Sequence, residues 1–303
     1  MPQDPIRIGN APVSYGMWSR EAAKSGGAPD VLLRTMADAG YAGSELGPVG
    51  LFGDAARTAE LFASCGMSMI GAYVPIRYPA DDAAIEEDFA VLEQTCAVLD
   101  ACGGGLVILA DETEPLLDRN PAHDPADTAL AFDAAQWDRC ARLTKEAMAV
   151  AEGHGLPVSF HPHMCTHIES AAEIERLCDL TDVPLTLDIG HARLAGDDPV
   201  ALLRTFADRI NHVHIKDVRM DVLRATLDAP GTAFPMAEAS VPLGAGDVDL
   251  AAFTAELGRV GYDGWLVVEQ DRDPDPDADY GAIALEQGEN LRVLRELLAA
   301  SGH

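Results

Sequence analysis

The feature of this sequence that most constrains its fold is an eightfold alternation of strand-like and helix-like segments. The strand-like runs are short and apolar and end at Gly, Pro or polar residues, whereas the helix-like runs carry apolar residues at helical spacing. The predicted strands are Ile6–Gly9, a run ending at Glu45, Ser68–Val74, Gly105–Ala110, Leu156–His161, two runs within Val183–Arg219, and Gly264–Gln270. The predicted helices are Pro29–Ala39, Asp54–Cys65, Ala83–Ala101, Phe132–Gly153, Ala171–Leu180, Pro199–Ala207, Leu250–Val260 and Gly281–Ala300. Eight repeats in 303 residues predict an α/β fold, a closed (β/α)8 TIM barrel in which residues 1–303 form a single domain.

The charge balance narrows the classes of partner. Fifty Asp and Glu residues against 21 Lys and Arg residues give a formal net charge of −29, which disfavours binding to nucleic-acid backbones and anionic membrane surfaces. The sequence has no apolar run of the roughly 18 residues that a membrane span needs, and its start, MPQDPIRIGN, lacks the pattern of a signal peptide. We therefore expect no nucleic-acid partner, no membrane association and a cytoplasmic protein.

The cysteines and three irregular segments complete the outline. The six cysteines are scattered without CxxC pairs, so we expect buried free thiols rather than disulfides. A polar connection at 111–127 is too long to be a simple turn, and we expect it to contribute to function. Residues 221–242 are predicted to be an irregular excursion or lid, and residues 271–279 a solvated acidic loop.

Potential metal ligands gather at the ends of the last four predicted strands, on the side that faces the barrel axis. Because side chains in a strand alternate between two faces, the position of each such residue within its strand decides whether it points inward. The inward-phased residues are His161 and His163 on the fifth strand, Asp188 on the sixth, His214 on the seventh and Glu269 on the eighth. Imidazoles and carboxylates that converge at the carboxyl-terminal face of such a barrel are typical of a metal site.

Several segments resemble a known family. These are GYAGSELG, FHPHM, LDIGHARLAGDDP, RINHVHIKDVR, PLGAGDVD and YDGWLVVEQD. They resemble the sugar-phosphate isomerase/epimerase superfamily of xylose-isomerase-like barrels, and within it most of all the inosose (2-keto-myo-inositol) dehydratases. The resemblance implies one divalent ion, Mn²⁺ or Co²⁺ in the first place and Mg²⁺ or Zn²⁺ as alternatives. It implies Asp188, His214 and Glu269 as ligands, with the strand-five ligand at His161 or, alternatively, at His163.

The resemblance also implies a reaction. A lyase of this kind dehydrates an inosose or related keto-sugar or cyclitol through a metal-stabilised enediolate; the alternative is a ketose epimerase or aldose-ketose isomerase. His161 or His163 is the candidate base, His191 the candidate for holding the metal-bound oxygens, and Glu45 a candidate substrate partner or second acid/base. The enolate or leaving hydroxyl is assigned to Lys216 and Arg219.

Other interpretations stay open for some of these residues. Lys216 can instead pair with Asp217 or Glu269, and Glu45 can instead cap the following helix. An endonuclease of the same fold class is disfavoured because it needs a basic face, which a net charge of −29 does not supply. We expect a homo-oligomer that acts on a small molecule.

Overall fold

The computed structural model describes residues 6–19, 29–275 and 277–302. The start of the chain, on which the signal-peptide prediction rests, and position 276 of the acidic loop lie outside them. Within the described residues the strands are β1 Arg7–Asn10, β2 Gly43–Ser44, β3 Ser68–Met69, β4 Gly71–Ile76, β5 Leu106–Asp111, β6 Val158–Phe160, β7 Leu185–Asp188, β8 Ile210–Ile215, β9 Asp217–Val218, β10 Ser240–Val241 and β11 Trp265–Val268. All except β9 and β10 form one parallel sheet in the order β3-β2-β1-β11-β8-β7-β6-β5-β4.

The sheet closes into a barrel because one continuous segment supplies both of its edges. β3 pairs with β2, and β4 pairs with β5, and only Ile70 separates β3 from β4. The Ile70 amide donates to the Ser44 carbonyl at 3.0 Å, and the Ile70 carbonyl accepts from the Leu106 amide at 2.9 Å. β3 and β4 thus act as one barrel strand, and with β1, β2, β5, β6, β7, β8 and β11 they make eight. The predicted single-domain (β/α)8 barrel is confirmed.

Helices cover the outside of the barrel. Within the described residues they are α1 Pro29–Ala39, α2 Ala55–Cys65, α3 Asp82–Ala101, α4 Pro115–Asp118, α5 Ala134–Gly153, α6 Ala171–Leu180, α7 Ile189–Leu194, α8 Pro199–Thr205, α9 Met220–Leu227, α10 Met236–Ala239, α11 Leu250–Val260 and α12 Tyr280–Ser301. The main core lies between these helices and the outward-facing strand residues, such as Val213 and Ile215 of β8. No helix among the described residues has both the length and the apolarity to cross a membrane.

The excursion after β9 is ordered, contrary to the prediction of an irregular segment. It contains α9 and α10 and returns through β10, which pairs antiparallel with β9. Its apolar side chains bury a second, smaller core against the loops after β6 and β7, formed by Met164, Cys165, Leu194, Val218, Met220, Leu223, Phe234 and Ala239. The helix-breaking residues Pro230, Gly231 and Pro235 lie between the two short helices. They separate the helices but do not prevent either helix from forming.

The long connection after β5 is tied to this excursion. It contains α4, and the Asp118 carbonyl accepts a hydrogen bond from the Phe234 amide at 2.9 Å. Ala122 packs against the second core. The two segments therefore cover the same side of the carboxyl-terminal face together. All six cysteines are free, as predicted, although only Cys96, Cys140 and Cys165 are buried.

Candidate metal centre and active site

Four side chains converge at the carboxyl-terminal ends of neighbouring strands. His161 directly follows β6, Asp188 ends β7, His214 lies in β8 and Glu269 directly follows β11. Asp188 pairs in register with His214, which also pairs with Val267 two residues before Glu269. Because neighbouring parallel strands end level with one another here, the inward-phased side chains meet at one point of the barrel mouth.

The spacing of their donor atoms suits a divalent ion. One donor atom from each of these four buried residues lies within 4.8 Å of the others. His214 Nδ1 is 3.3 Å from Glu269 Oε2 and 3.7 Å from Asp188 Oδ2, and His161 Nε2 is 3.8 Å from the same Asp188 oxygen. Donors held at about 2.1 Å around a tetrahedral ion are separated by about 3.4 Å. Within the described part of the chain, neither Asp188 Oδ2 nor His214 Nδ1 makes a hydrogen bond. The residues therefore fit a divalent cation in both spacing and charge.

Hydrogen bonds to the far side of each group orient these donors. His161 Nδ1 lies 2.8 Å from the Pro162 carbonyl, so it carries the proton and leaves Nε2 with a free lone pair. Asp188 Oδ1 accepts from the amides of Gly190 and His191 at 2.8 and 2.9 Å, as the cap of α7, which leaves Oδ2 for another partner. Such outer contacts are usual for metal ligands.

Glu45 lies beneath His214 rather than in the open mouth. Its Oε1 lies 3.0 Å from His214 Nε2 and 2.9 Å from His212 Nε2, and the three side chains are buried. Burial raises the pKa of the Glu45 carboxyl, but His214 and His212 outweigh burial and hold it far below its usual range. The carboxylate thus accepts from both imidazoles and turns His214 Nδ1 towards Asp188 and Glu269. Glu45, His212 and His214 are also close enough to form a second metal-binding group, but each already uses the facing atom in these hydrogen bonds.

The two candidate histidine ligands differ in protonation state. Burial lowers the pKa of His161 to about 3, and the neighbouring His214 and His163 act in the same direction, so the His161 imidazole is neutral. Burial also lowers the pKa of His214, but the carboxylates of Glu269 and Glu45 outweigh burial and raise it well above its usual range. Binding of an ion through His214 Nδ1 therefore has to release a proton.

Lys216 is the one described cation that reaches this group. Its Nζ lies 3.1 Å from Asp188 Oδ2, 3.2 Å from Glu269 Oε2 and 2.8 Å from Asp271 Oδ2, and 3.0 Å from His191 Nε2. Of the two alternative partners, Lys216 pairs with Glu269 and not with Asp217. Burial lowers the pKa of the ammonium, but the three carboxylates outweigh burial and keep it well above its usual value.

His163 and His191 form a pair of imidazoles beside the candidate ligands. Their ring centroids are 3.9 Å apart, and His163 lies 5.4 Å from His161. Burial and the nearby Lys216 lower the pKa of His163, so its ring is neutral. His163 Nδ1 lies 2.8 Å from the Met164 carbonyl, which places the proton on Nδ1 and leaves Nε2 as an acceptor. His163 is partly exposed, whereas His161 is buried.

The structure does not bring Arg219 to this group. Its exposed guanidinium pairs with Asp221 on the surface. The chain leaves the barrel after β8, where β9 pairs with β10, and Arg219, which follows β9, lies on the surface.

Sequence reasoning missed three inward-facing residues. Asp271 lies two residues after Glu269 and faces the same side, but the sequence pattern places it in the acidic loop. The described residues of that loop from 273 onward are mostly exposed, as predicted. Tyr73 lies within β4 and Glu112 directly follows β5, two strands that carry no predicted ligand. The alternation of the third and fourth strands was the available signal for both.

A cavity of about 1000 Å³ opens at the opposite, amino-terminal end of the barrel. It is lined by residues at strand starts, including Arg7, Leu106 and Trp265, and it reaches His212. This cavity is the open amino-terminal end of the barrel, whereas the carboxylates and imidazoles with shifted pKa values lie at the carboxyl-terminal end. The chemistry of the side chains, not the size of the cavity, marks the candidate site.

The fold and site define the class of protein. The chain belongs to the xylose isomerase-like TIM barrel family, whose model matches residues 33–297. It is similar to an inosose dehydratase of Geobacillus kaustophilus, with 31% identity over 98% of this chain and 97% of that protein. Similarity over nearly the whole of both chains identifies the protein as an enzyme of the dehydratase or isomerase/epimerase type.

Two solved structures show the same fold at lower identity. The L-ribulose 3-epimerase structure has a TM-score of 0.71 at 19% identity, covering 98% of this chain and 95% of that one. The structure of the IolI protein with a zinc atom has a TM-score of 0.73 at 14% identity, covering 98% and 99%. At such identity these likenesses establish the barrel architecture alone.

Proposed function

We propose that the protein is a divalent-metal-dependent dehydratase that acts on an inosose or a related keto-sugar or cyclitol. The observation that carries the proposal is the convergence of buried donor atoms from His161, Asp188, His214 and Glu269 beside the neutral imidazole of His163. The similarity to an inosose dehydratase over nearly the full chain supports the substrate class.

The proposed ligands are His161, Asp188, His214 and Glu269. A bound divalent ion supplies Lewis acidity, which polarises a ketone and acidifies the neighbouring C–H bond. His161 is assigned as the strand-five ligand in preference to His163 because its Nε2 lies within reach of the other three donor atoms. Glu45 acts through His214, which it orients, rather than on the substrate.

His163 is the proposed base. Its Nε2 has a free lone pair and its ring is partly exposed, so it can take the proton from the carbon next to the ketone. The protonated imidazole then returns this proton to the departing β-hydroxyl, and water leaves with the enzyme in its starting state. Lys216 and His191 are the proposed groups that stabilise negative charge on the substrate oxygens. Lys216 Nζ donates a hydrogen bond to His191 Nε2, so His191 carries its proton on Nδ1 and can donate from that atom.

The reaction is tested with an inosose and protein loaded with Mn²⁺. An unsaturated-ketone absorbance is expected; an interconverted ketone without this absorbance would instead indicate the epimerase or isomerase alternative, which shares the first proton transfer. In deuterated water, recovered substrate or product should gain deuterium beside the carbonyl, or substrate deuterated there should react more slowly. Absence of both effects, when chemistry limits the rate, would exclude proton abstraction.

The remaining properties are proposed with the function. Mn²⁺ or Co²⁺ is the proposed native ion, because a set of two imidazoles and two carboxylates accepts several first-row metals. A homo-oligomer and a cytoplasmic location are proposed as well. Metal analysis of protein purified without added metal tests the identity of the ion. The molecular mass of the protein in solution tests the oligomeric state.

A further inference from the structure

An aromatic hydroxyl lies on the inner side of the barrel beside His161 and His163. Tyr73 lies in β4, where Ala72 and Val74 pack outward into the main core, so the alternation turns Tyr73 inward. Its ring lies edge-on to His161 with centroids 6.0 Å apart, and 6.1 Å from the ring of His163. Burial raises the pKa of Tyr73 well above its usual value, with Glu112 as the next cause. The hydroxyl is therefore protonated, and among the described residues no hydrogen bond occupies it.

A carboxylate stands on the neighbouring strand. Glu112 directly follows β5, and its amide donates to the Ile76 carbonyl at 3.2 Å, which continues the strand pairing for one residue. Asp111 points outward, where it accepts from His167 Nδ1 at 2.8 Å, so Glu112 points inward. Its side chain is partly exposed, as a ligand-binding group has to be.

Glu112 has no charged partner of its own in the described residues. Its one hydrogen bond is to the amide of the next residue, Thr113, at 3.2 Å. Arg77, the cation that acts on it, is already paired with Asp88 at 2.7 Å and with Glu87 at 3.1 Å. Burial raises the pKa of Glu112. A desolvated carboxylate without a counterion is costly unless a ligand supplies hydrogen-bond donors.

We propose that Tyr73 and Glu112 form a subsite beside His161 and His163 that binds ring hydroxyls of a polyhydroxylated substrate. The inference rests on the proposed function in taking such a ketone as substrate. An ionised carboxylate only accepts, so it binds hydroxyl groups, whereas a tyrosine hydroxyl both donates and accepts. Both side chains thus suit substrate hydroxyls, and the Glu112 carboxylate disfavours a phosphate at that position because the two anions repel.

The subsite has a consequence for specificity. A site built to hydrogen-bond a substrate hydroxyl rejects an analogue that lacks it, because the site's own polar groups are then left unpaired. The wild-type enzyme should therefore discriminate between the full substrate and a deoxy analogue that lacks one of the ring hydroxyls bound by this subsite. Loss of Glu112 or Tyr73 should reduce this discrimination.

The test uses Glu112→Gln and Tyr73→Phe in the full-length, Mn²⁺-loaded protein. Each variant should raise KM by about 10- to 100-fold with kcat within about threefold, the size expected for a hydrogen bond to a charged group or between buried polar groups. The ratio of kcat/KM between full and deoxy substrate should fall towards one. Glu114→Gln is the matched control, since Glu114 lies two residues after Glu112 and its side chain does not cap α4. This substitution should leave KM and the discrimination ratio unchanged.

A second measurement does not depend on turnover. Calorimetric titration with myo-inositol, a cyclitol without the ketone, should show binding to the wild type and to Glu114→Gln, and at least tenfold weaker binding to the other two variants. Variants that keep the wild-type KM, discrimination and myo-inositol affinity would overturn the subsite. If the wild type turns over no ketone, the proposed function fails, but myo-inositol binding still decides the subsite; its absence from the wild type would overturn the subsite too.

Discussion

At the scale of single residues, two histidines two positions apart make the same type of hydrogen bond but have different neighbours, and their proposed roles rest on that difference. His161 and His163 each place a ring Nδ1 against a backbone carbonyl, at 2.8 Å in both cases. Both therefore present Nε2, but only His161 presents it to the other three donors. The sequence predicts the inward phase of both, because that depends on strand period alone. It leaves their division open, because the division depends on the path of the loop after β6.

The two histidines should separate on substitution. We expect His161→Ala to lose bound metal and with it activity, whereas His163→Ala should keep about one ion per chain and lose about 10²- to 10⁴-fold in kcat, the usual contribution of a positioned base. Metal content by mass spectrometry and steady-state kinetics measure the two effects. Loss of metal from His163→Ala, with metal retained by His161→Ala, would reverse the assignments.

Gly190 shows how little space surrounds Lys216. A Cβ at Gly190 would lie 2.7 Å from Lys216 Cγ and 2.9 Å from its Cβ and Cδ. Gly190→Ala should therefore push the lysine stem away from Asp188, lower activity at least tenfold and cost about 1–3 kcal/mol of unfolding free energy.

The control for this substitution is Gly288→Ala. Gly288 lies within α12 with nothing near the position of its Cβ, so alanine should stabilise the protein by up to about 1 kcal/mol and leave activity unchanged. Urea unfolding and kinetics on both variants give the comparison. Equal effects of the two substitutions would show that Lys216 does not depend on the missing side chain at Gly190.

At the scale of elements, the connection after β5 secures the loop that carries both histidines. His123, whose side chain is fully buried, places Nδ1 2.8 Å from Glu169 Oε1 and Nε2 3.0 Å from Glu173 Oε1. Glu169 also accepts from the amides of His123 and Cys165 at 2.9 and 2.7 Å. His167, in the same loop, is held by Asp111. The loop from 161 to 170 is thus fixed at its far end by two carboxylate–imidazole contacts.

This contact predicts a pH-dependent stability. Burial lowers the pKa of His123, but Glu169 and Glu173 outweigh burial and raise it to about 10, above the value of about 6.5 expected in the unfolded chain. The stabilisation is therefore complete below about pH 6.5 and is lost as the pH rises through about 10. His123→Gln should cost about 3 kcal/mol at pH 6.5, and the difference from wild type should shrink towards pH 10. Urea unfolding at several pH values measures it; a constant or growing difference would contradict the ion pair.

The elements also mark the limit of prediction from sequence. The strands and most helices follow from apolar period and flanking Gly and Pro, so the barrel and the inward phase of Asp188, His214 and Glu269 are predictable. Contacts between distant segments are not: Glu45 meets His214 169 positions away, and His123 meets Glu169 46 positions away. The candidate Arg219 lies outside the site because β9 leaves the barrel to pair with β10, a change of direction that the local sequence does not reveal. α9 and α10 were missed because their few apolar residues become informative only against the second core.

At the scale of the whole molecule, the proposed metal should link the site to the stability of the barrel. The four candidate ligands come from four different strands, so an ion that binds only the folded chain stabilises all of them together. At about 100 times its Kd, such an ion adds about 2.7 kcal/mol.

A thermal measurement tests this link. Chelator should lower Tm by several degrees and Mn²⁺ should restore it, because about 1 kcal/mol corresponds to roughly 2–4 °C in a chain of this size. Asp188→Asn should abolish the Mn²⁺-dependent shift and the activity while remaining folded, since Asp188 lies at the barrel mouth. A shift of wild-type size in Asp188→Asn would place the stabilising ion elsewhere.

The ammonium of Lys216 among three carboxylates bears on how the protein matures in a cell. Asp188, Glu269 and Asp271 all lie within 3.2 Å of Lys216 Nζ, so the newly made chain has an internal counterion for charges that would otherwise be buried unpaired. Synthesis and metal delivery can then occur at different times. Under the proposed metal dependence, the chain would be able to fold before the ion binds, so folding and metal delivery would not require a fixed order.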